Sequence, residues 1–588
     1  MAKGQRSKRS AYSHNGCKQC KQRKVKCDER RPRCWQCERL NKECGYLADR
    51  NSRMEGNNGR RSADSGEPST QGSRSFLSNN ENTSDFATMD HTNVPLDSAD
   101  TANDSGRLDS LSLFSVAEDL SEIVNLRLEE MVEVPNLTDD LDKYLEGDTI
   151  ENISGIPSVP LIQDVPISHL NVQGHDTIYL HQFYHHFADI LLPFQVTIDG
   201  KKGNPLRDLL MIYARETPYL LCAILACGAR LSHRKTALLE DQQNYKFYLQ
   251  SCLQFLTSAM ANNLASQTEH ILLTVLTMTC DGAMGPTQNW RFHLKGAKGL
   301  LVNISKFDFE NDSPALIVCK LWFSSIEILA GLTSPLGGTL ATDEEFNLLL
   351  SLTDKQKRIL YQANFIHSND FILFHGFTVD LMACLKDVIK VLQDKRDSKQ
   401  NLELVIDLLA ALKKEASSGP ALVNWSESNI FPCHYVARHA QELPTRDMQG
   451  VIFFKAGEAS FDWPEVCQQA YIFAAMILIL TSVLETSKDS EVVQQLVSDL
   501  LVFADLISGS GDPPKYTCLF SLQWPMYIAG LNSTRAADRL KAEKFFRLLA
   551  EIYSGSACAL LEKLKRSWYG KNEDKQNHPD YNLDVVAY

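Results

Sequence analysis

CKQCKQRKVKCDERRPRCWQCERLNKEC, residues 17–44, carries six cysteines: Cys17, Cys20, Cys27, Cys34, Cys37 and Cys44. The gaps between them are two, six, six, two and six residues, so one unit, C-x2-C-x6-C, is written twice. A thiolate is a soft, charged ligand that suits zinc, and structural zinc prefers a tetrahedron. Two tetrahedra have eight corners and the stretch offers six sulfurs. The simplest closure lets two thiolates each serve both metals, giving a compact binuclear cluster with no cysteine left over. A disulfide framework and a single-zinc ribbon are the competing readings. The ten further cysteines scattered along the chain, and a polar, basic start (MAKGQRSKRS) without the apolar core of a secretory signal, argue against disulfides.

From Gly16 to Tyr46 the stretch resembles the fungal zinc binuclear cluster DNA-binding domain. The likeness rests on the run RKVKCDE (Arg23 to Glu29), on Pro32 between the halves and on C-W-Q-C (Cys34 to Cys37). The resemblance implies two zinc ions, with Cys17 and Cys34 as bridging thiolates and the other four cysteines as terminal ligands. It implies duplex DNA as partner, read at CGG-like triplets. A helix that starts near Cys17 would put its C-terminal end into the major groove, where a lysine meets the O6 and N7 acceptors of guanine. Lys24 stands at the base-reading position and Arg23 is its neighbour. Lys18, Lys21 and Lys26 are assigned to phosphates, which give affinity and salt dependence but little sequence preference.

Charge is divided along the chain. Residues 1–61 hold 18 Lys and Arg against 6 Asp and Glu, a net of +12, so the remainder of the 588-residue chain carries −25 of the overall −13. A basic head on an acidic body suggests that the head meets a polyanion and the body does not. Residues 1–16 form a basic arm in which Lys3, Arg6, Lys8 and Arg9 suit nuclear import or phosphate contact. The cluster domain spans 17–46. Residues 47–107, rich in Ser, Asn, Gly and acids, read as a disordered linker. The short coiled coil that many such proteins carry after the cluster has no counterpart in an a/d heptad here, which weakens the expectation of a coiled-coil homodimer. Residues 108–146 hold 11 acids against Arg127 and Lys143, with Val116, Leu120, Ile123, Val124 and Met131 on one helical face. A helix docked on the large domain is the favoured reading, and an activating segment that folds on a partner is the other.

Residues 168–570 show apolar residues at helical spacing in successive segments, among them 205–233, 313–333 and, next after it, 357–396, with Pro and Gly between segments, and predict an all-α domain of a dozen or more helices. The longest uncharged apolar run, Ala470 to Leu484, is shorter than the ~20 residues of a membrane span. The strings Tyr179 to Phe194, Asn204 to Ala229, Arg291 to Leu301 and Gln523 to Arg539 resemble the fungal-specific regulatory domain that accompanies the cluster. The tail, 571–588, reads as a frayed terminus or, by family habit, a contact for the transcription machinery. The fold expected is therefore mostly α: a small two-zinc domain, a linker and a large helical body.

Other constellations carry less. His181, His185, His186 and Asp189 share one or two turns, where i, i+4 spacing could hold a metal, but Phe183, Tyr184 and Phe187 interleave them and no glutamate completes a hydrolase motif, so a structural helix is the expected reading. Gly331 to Gly338 lacks the G-K-[ST] of a phosphate loop, and Ser324, Ser325 and Ser521 sit in no nucleophile elbow. Cys222, Cys227, Cys252, Cys280 and Cys319 read as small buried hydrophobes. The sequence thus predicts no enzyme. It predicts a nuclear, sequence-specific transcription factor of RNA polymerase II genes, an activator of metabolic genes, with CDERRPRCWQCERLNKEC closest to regulators of lysine biosynthesis. Co-regulators and a small-molecule effector are the further partners it suggests. The alternative reading is a metabolite-sensing or co-regulator scaffold whose zinc cluster mainly holds partner proteins.

Overall fold

The computed structural model describes residues 17–22, 33–34, 37 and 44 of the head. It also describes residues 165–588 except 171, 195, 199–200, 264–266, 286–288, 306–312, 368–369, 397–401, 419–448, 455–456, 509–516, 552–554 and 571–583. The arm 1–16, the linker 47–107 and the acidic segment 108–146 lie outside the described residues, as do Arg23, Lys24, Lys26 and Cys27. The chain divides into two units, 1–101 and 102–588.

The body is mostly α-helical, as its apolar spacing predicts. Its centre is Pro314–Thr333, a helix apolar on every side and buried almost end to end, which is the pattern of a core helix. Ser313 starts it: the Ser313 side chain accepts from the Leu316 amide at 3.2 Å, and Pro314 occupies the first helical position, where no backbone donor is needed. Around it pack Thr268–Met284, Trp290–Ser305, Asp354–Gln362 and Val379–Arg396. A second group joins Trp463–Leu478 to Glu491–Ser508, Gln523–Asn532, Ala536–Glu551 and Gly555–Tyr569. A third joins Pro218–Thr236 to Leu239–Asn263 and Asp176–Gln182. One continuous apolar core runs through all three. Among the described residues the strands form three antiparallel two-stranded hairpins, Val196–Ile198 with Lys201–Gly203, Phe371–Ile372 with Phe377–Thr378, and Gln449–Phe454 with Gly457–Asp462.

Several segments expected as single helices are broken. The stretch 205–233 holds two, Pro205–Ala214 and Pro218–Thr236, because Thr217 is extended before Pro218. The stretch 357–396 holds Asp354–Gln362, the Phe371–Thr378 hairpin and Val379–Arg396. Asn364 and Asp370 are left-handed there, and Gly376 turns the hairpin at φ +79°. A further helix, Asp343–Leu349, has no counterpart among the expected segments; Thr342 caps it, accepting from the Glu345 amide at 3.2 Å.

Two helices, Pro314–Thr333 and Trp463–Val483, are long and apolar enough to cross a membrane by length and composition. Charges interrupt both, Lys320 and Glu327 the first and Glu465 the second, so the longest uncharged run, Ala470 to Leu484, is shorter than either. Both helices are core elements: 94% of the first window and 78% of the second are buried inside the protein. The two charges of the first helix are partnered. Lys320 donates to Gln356 at 3.2 Å. Glu327 accepts from the Leu340 amide at 2.9 Å and the Thr339 hydroxyl at 2.7 Å. Burial still pushes the Glu327 carboxyl above its usual range, against these bonds and Arg291.

The segment 584–588 does not fray. Val585, Val586, Ala587 and Tyr588 are buried and belong to the core. The Tyr588 hydroxyl accepts from the Trp322 indole at 3.2 Å and donates to the Leu191 carbonyl at 3.3 Å. The Tyr588 carbonyl accepts from Gln523 at 2.7 Å and from the Ser556 hydroxyl. Asp584 forms an ion pair with Arg291, whose guanidinium also donates to the Gly337 and Gly338 carbonyls at 2.7 and 2.9 Å. The frayed-end expectation is thus overturned for these residues.

His375 packs edge-on against Tyr588, ring centres 5.4 Å apart, and burial lowers its pKa to about 3. The unfolded chain binds this proton below about pH 6.5 and the folded chain does not, so stability falls as pH drops from there toward 3. Between pH 7.5 and 5 this one group should remove about 2 kcal/mol. Urea unfolding at both pH values should show that difference shrinking by about as much in His375→Phe; an unchanged difference would refute the assignment.

Candidate metal centre and nucleic-acid interface

The head builds its site by using one local structure twice. Lys18–Gln22 is a single helical turn and a half, and Cys17 stands at its start. The Cys20 amide donates to the Cys17 sulfur at 3.3 Å, and the Lys21 amide donates to the Cys17 carbonyl at 3.1 Å. The second unit repeats this: the Cys37 amide donates to the Cys34 sulfur at 3.4 Å and to the Cys34 carbonyl at 3.0 Å. C-x-x-C on a first turn therefore aims two sulfurs to one side and gives the first of them an amide donor. The Cys34 amide in turn donates to the Cys44 sulfur at 3.2 Å.

The two units face each other through sulfur. Cys17 lies 3.6 Å from Cys34 and 3.5 Å from Cys37, and Cys20 lies 3.6 Å from Cys34. A zinc bound at ~2.3 Å to each of four sulfurs sets tetrahedral edges of roughly 3.8 Å, so these separations fit. Cys17, Cys34, Cys37 and Cys44 bring their sulfurs within 4.8 Å of one another, which is one complete tetrahedral donor set. Cys17 meets two sulfurs of the facing unit, Cys34 and Cys37, and Cys34 likewise meets two, Cys17 and Cys20. Cys27, expected beside Cys20, lies outside the described residues.

The thiols also show why a cation belongs here. Burial raises Cys17, but the Cys20 amide and the neighbouring thiols outweigh it and bring it down to about 6. Burial, followed by Cys17 and Cys34, pushes Cys37 up to about 12. One thiolate forms readily, and its negative charge opposes the next. A bound dication reverses that repulsion and holds every ligand ionised. The cysteines make the buried part of the head with no aliphatic core around them among the described residues, so metal must supply most of its folding energy.

Lys18 and Lys21 are exposed on the outside of Lys18–Gln22, three residues apart and so on one face. In the body, by contrast, the candidate cysteines are ordinary core residues. Cys227, Cys252, Cys280 and Cys319 are buried and burial holds their thiols well above the usual range, whereas Cys222 is half-buried. A cavity lined by Phe187, Ile190, Arg230, Leu231, Arg234 and Met284 has a volume of about 10 Å³, room for one water.

With both parts in view, the comparisons with known proteins agree. Residues 15–53 match the fungal Zn(2)-Cys(6) binuclear cluster domain, and residues 179–587 match the fungal specific transcription factor domain. The chain belongs to the fungal zinc-cluster transcription factors, whose cluster domain binds two zinc ions and DNA. It is 26% identical to the lysine biosynthesis regulatory protein LYS14 of Saccharomyces cerevisiae, across the whole of this chain and 82% of that protein. It is 60% identical to the sterol uptake control protein 2 of Candida albicans over 35 residues, 6% of this chain and 5% of that one. No solved structure matches the chain.

Proposed function

We propose that this protein is a nuclear, sequence-specific regulator of RNA polymerase II genes that binds CGG-like triplets through its two-zinc head and activates metabolic genes, lysine biosynthesis first among them. The observation that carries the DNA-binding reading is the doubled cysteine unit, with its sulfurs at tetrahedral spacing, on a head of net charge +12. Similarity to a lysine biosynthesis regulator along the full chain supports the pathway, and the acids of 108–146 support activation.

In this reading Cys17 and Cys34 bridge the two ions. Cys20 and Cys27 complete one tetrahedron, and Cys37 and Cys44 the other. Two zincs and six thiolates sum to −2, so surrounding cations must carry the cluster to the phosphates. Lys18, Lys21 and Lys26 do that, while Lys24, with Arg23 beside it, reads guanine. Selection from a random duplex pool with the full chain tests the triplet and its spacing. Lys24→Ala and Arg23→Ala should each cost roughly 10- to 100-fold on the selected site and little on random DNA. Lys18→Ala should weaken both alike and reduce the salt slope by about 1. Site-specific binding that survives Lys24→Ala and Arg23→Ala unchanged would sink the readout assignment. Expression of lysine-pathway genes in a deletion strain tests the pathway, and the position of a fluorescent fusion tests the compartment.

A further inference from the structure

The helix that opens the body does something its sequence does not suggest. Asp176–Gln182 runs into a π-helical turn, Phe183–Phe187, which closes with the Ala188 amide donating to the Phe183 carbonyl, and then into Ala188–Leu191. Phe183, Tyr184 and Phe187 are buried, but His181, His185 and His186 are exposed. The structural helix expected here is present: its aromatic residues make the packed side and the three imidazoles stand outside it. The rings of His181 and His185 lie side by side, 4.3 Å between centres and tilted by 47°.

We propose that His181 and His185 form a surface site for a divalent transition cation of borderline softness, such as zinc, nickel or copper. Imidazole nitrogen is the common protein donor for such ions, at ~2.1 Å. Rings this close can turn one nitrogen each onto a single ion, with water filling its remaining positions. The neighbouring cations are already engaged. Arg207 pairs with Asp208 at 2.8 Å and lies over the Tyr184 ring at 4.2 Å, and Lys235 donates to Gln182 at 2.7 Å. Among the described residues three or more ligand atoms converge within 4.8 Å only at the head cysteines, so His186 is not counted as a ligand. π turns recur at functional sites, and an ion held across this one would lock its register.

The test is calorimetric titration of nickel chloride into the untagged, zinc-loaded full chain. One nickel per chain is expected. His181→Ala and His185→Ala should each weaken it at least tenfold, whereas His186→Gln and His233→Gln should leave it within twofold. His181, His185 and His186 are exposed and His233 is half-buried, so circular dichroism should be unchanged. Absence of nickel binding in the parent chain would overturn the site, and so would equal losses in all four variants, which would mean adventitious imidazole binding only.

Discussion

Cys34→Ser should empty the head of both zinc ions, whereas Cys44→Ser should release one first. Cys34 touches Cys17 of its facing unit at 3.6 Å and Cys20 at the same distance, and its own amide serves Cys44. With Cys34 as one of the two bridging thiolates proposed above, its loss leaves each ion with three thiolates. Cys44 belongs only to the set with Cys17, Cys34 and Cys37. Structural zinc in small domains contributes ~10–16 kcal/mol of binding energy that is also folding energy. Losing both ions should therefore unfold the head and reduce specific DNA binding by more than 1,000-fold, well beyond any single lysine contact, which is worth ~1–3 kcal/mol. Zinc content by mass spectrometry, followed across a chelator series, measures this directly. Equal zinc loss curves for Cys34→Ser and Cys44→Ser would remove the bridging role from Cys34.

The second large effect lies in the body. Deleting residues 584–588 should remove most of its stability while leaving the head's zinc content at two. Each fully buried apolar side chain contributes ~1.5–3 kcal/mol, and Val585, Val586 and Tyr588 are all buried to 4% exposure or less. Arg291 would lose its ion pair with Asp584, and Trp322 its acceptor. A loss on the order of 5–10 kcal/mol compares with ~5–15 kcal/mol for a whole domain, so the truncated body should aggregate or melt far below the parent. Tyr588→Ala should cost ~3–5 kcal/mol. Tyr588→Phe removes the hydroxyl's bonds to Trp322, Leu191 and the Cys280 thiol and should cost ~1–2 kcal/mol. Thermal denaturation by circular dichroism ranks the three, and a truncated chain that melts within a degree or two of the parent would show that the segment is dispensable.

These effects were unequally legible in the sequence. The cysteine spacing announced the metal centre because ligation needs only donor type and separation along the chain, both of which are sequence properties. The helical body was legible for a similar reason: period 3.6 is local. Helix ends were less so, and the break at Thr217-Pro218 is clear only when the proline is weighed above the apolar pattern around it. The docking of Val585 to Tyr588 was missed because a polar stretch, 571–583, suggested an end without a core. The signal was four apolar residues in a row after it. The exposure of His181 and His185 had no signal at all, since it depends on which way a π turn rotates the row. The helix Pro314–Thr333 escaped the membrane-length test for the opposite reason, because two buried charges with partners look like solvated ones in a string.

The contacts of Tyr588 also have a kinetic meaning. Its hydroxyl reaches Trp322 across 266 residues and Leu191 across 397. Closing loops of that length is slow and must follow, not precede, the packing of the helices that supply the partners. The segment should therefore arrive late. Until it does, the indole nitrogen of Trp322 lacks the Tyr588 hydroxyl and a groove of apolar surface stands open, the kind of transient that chaperones hold in large domains.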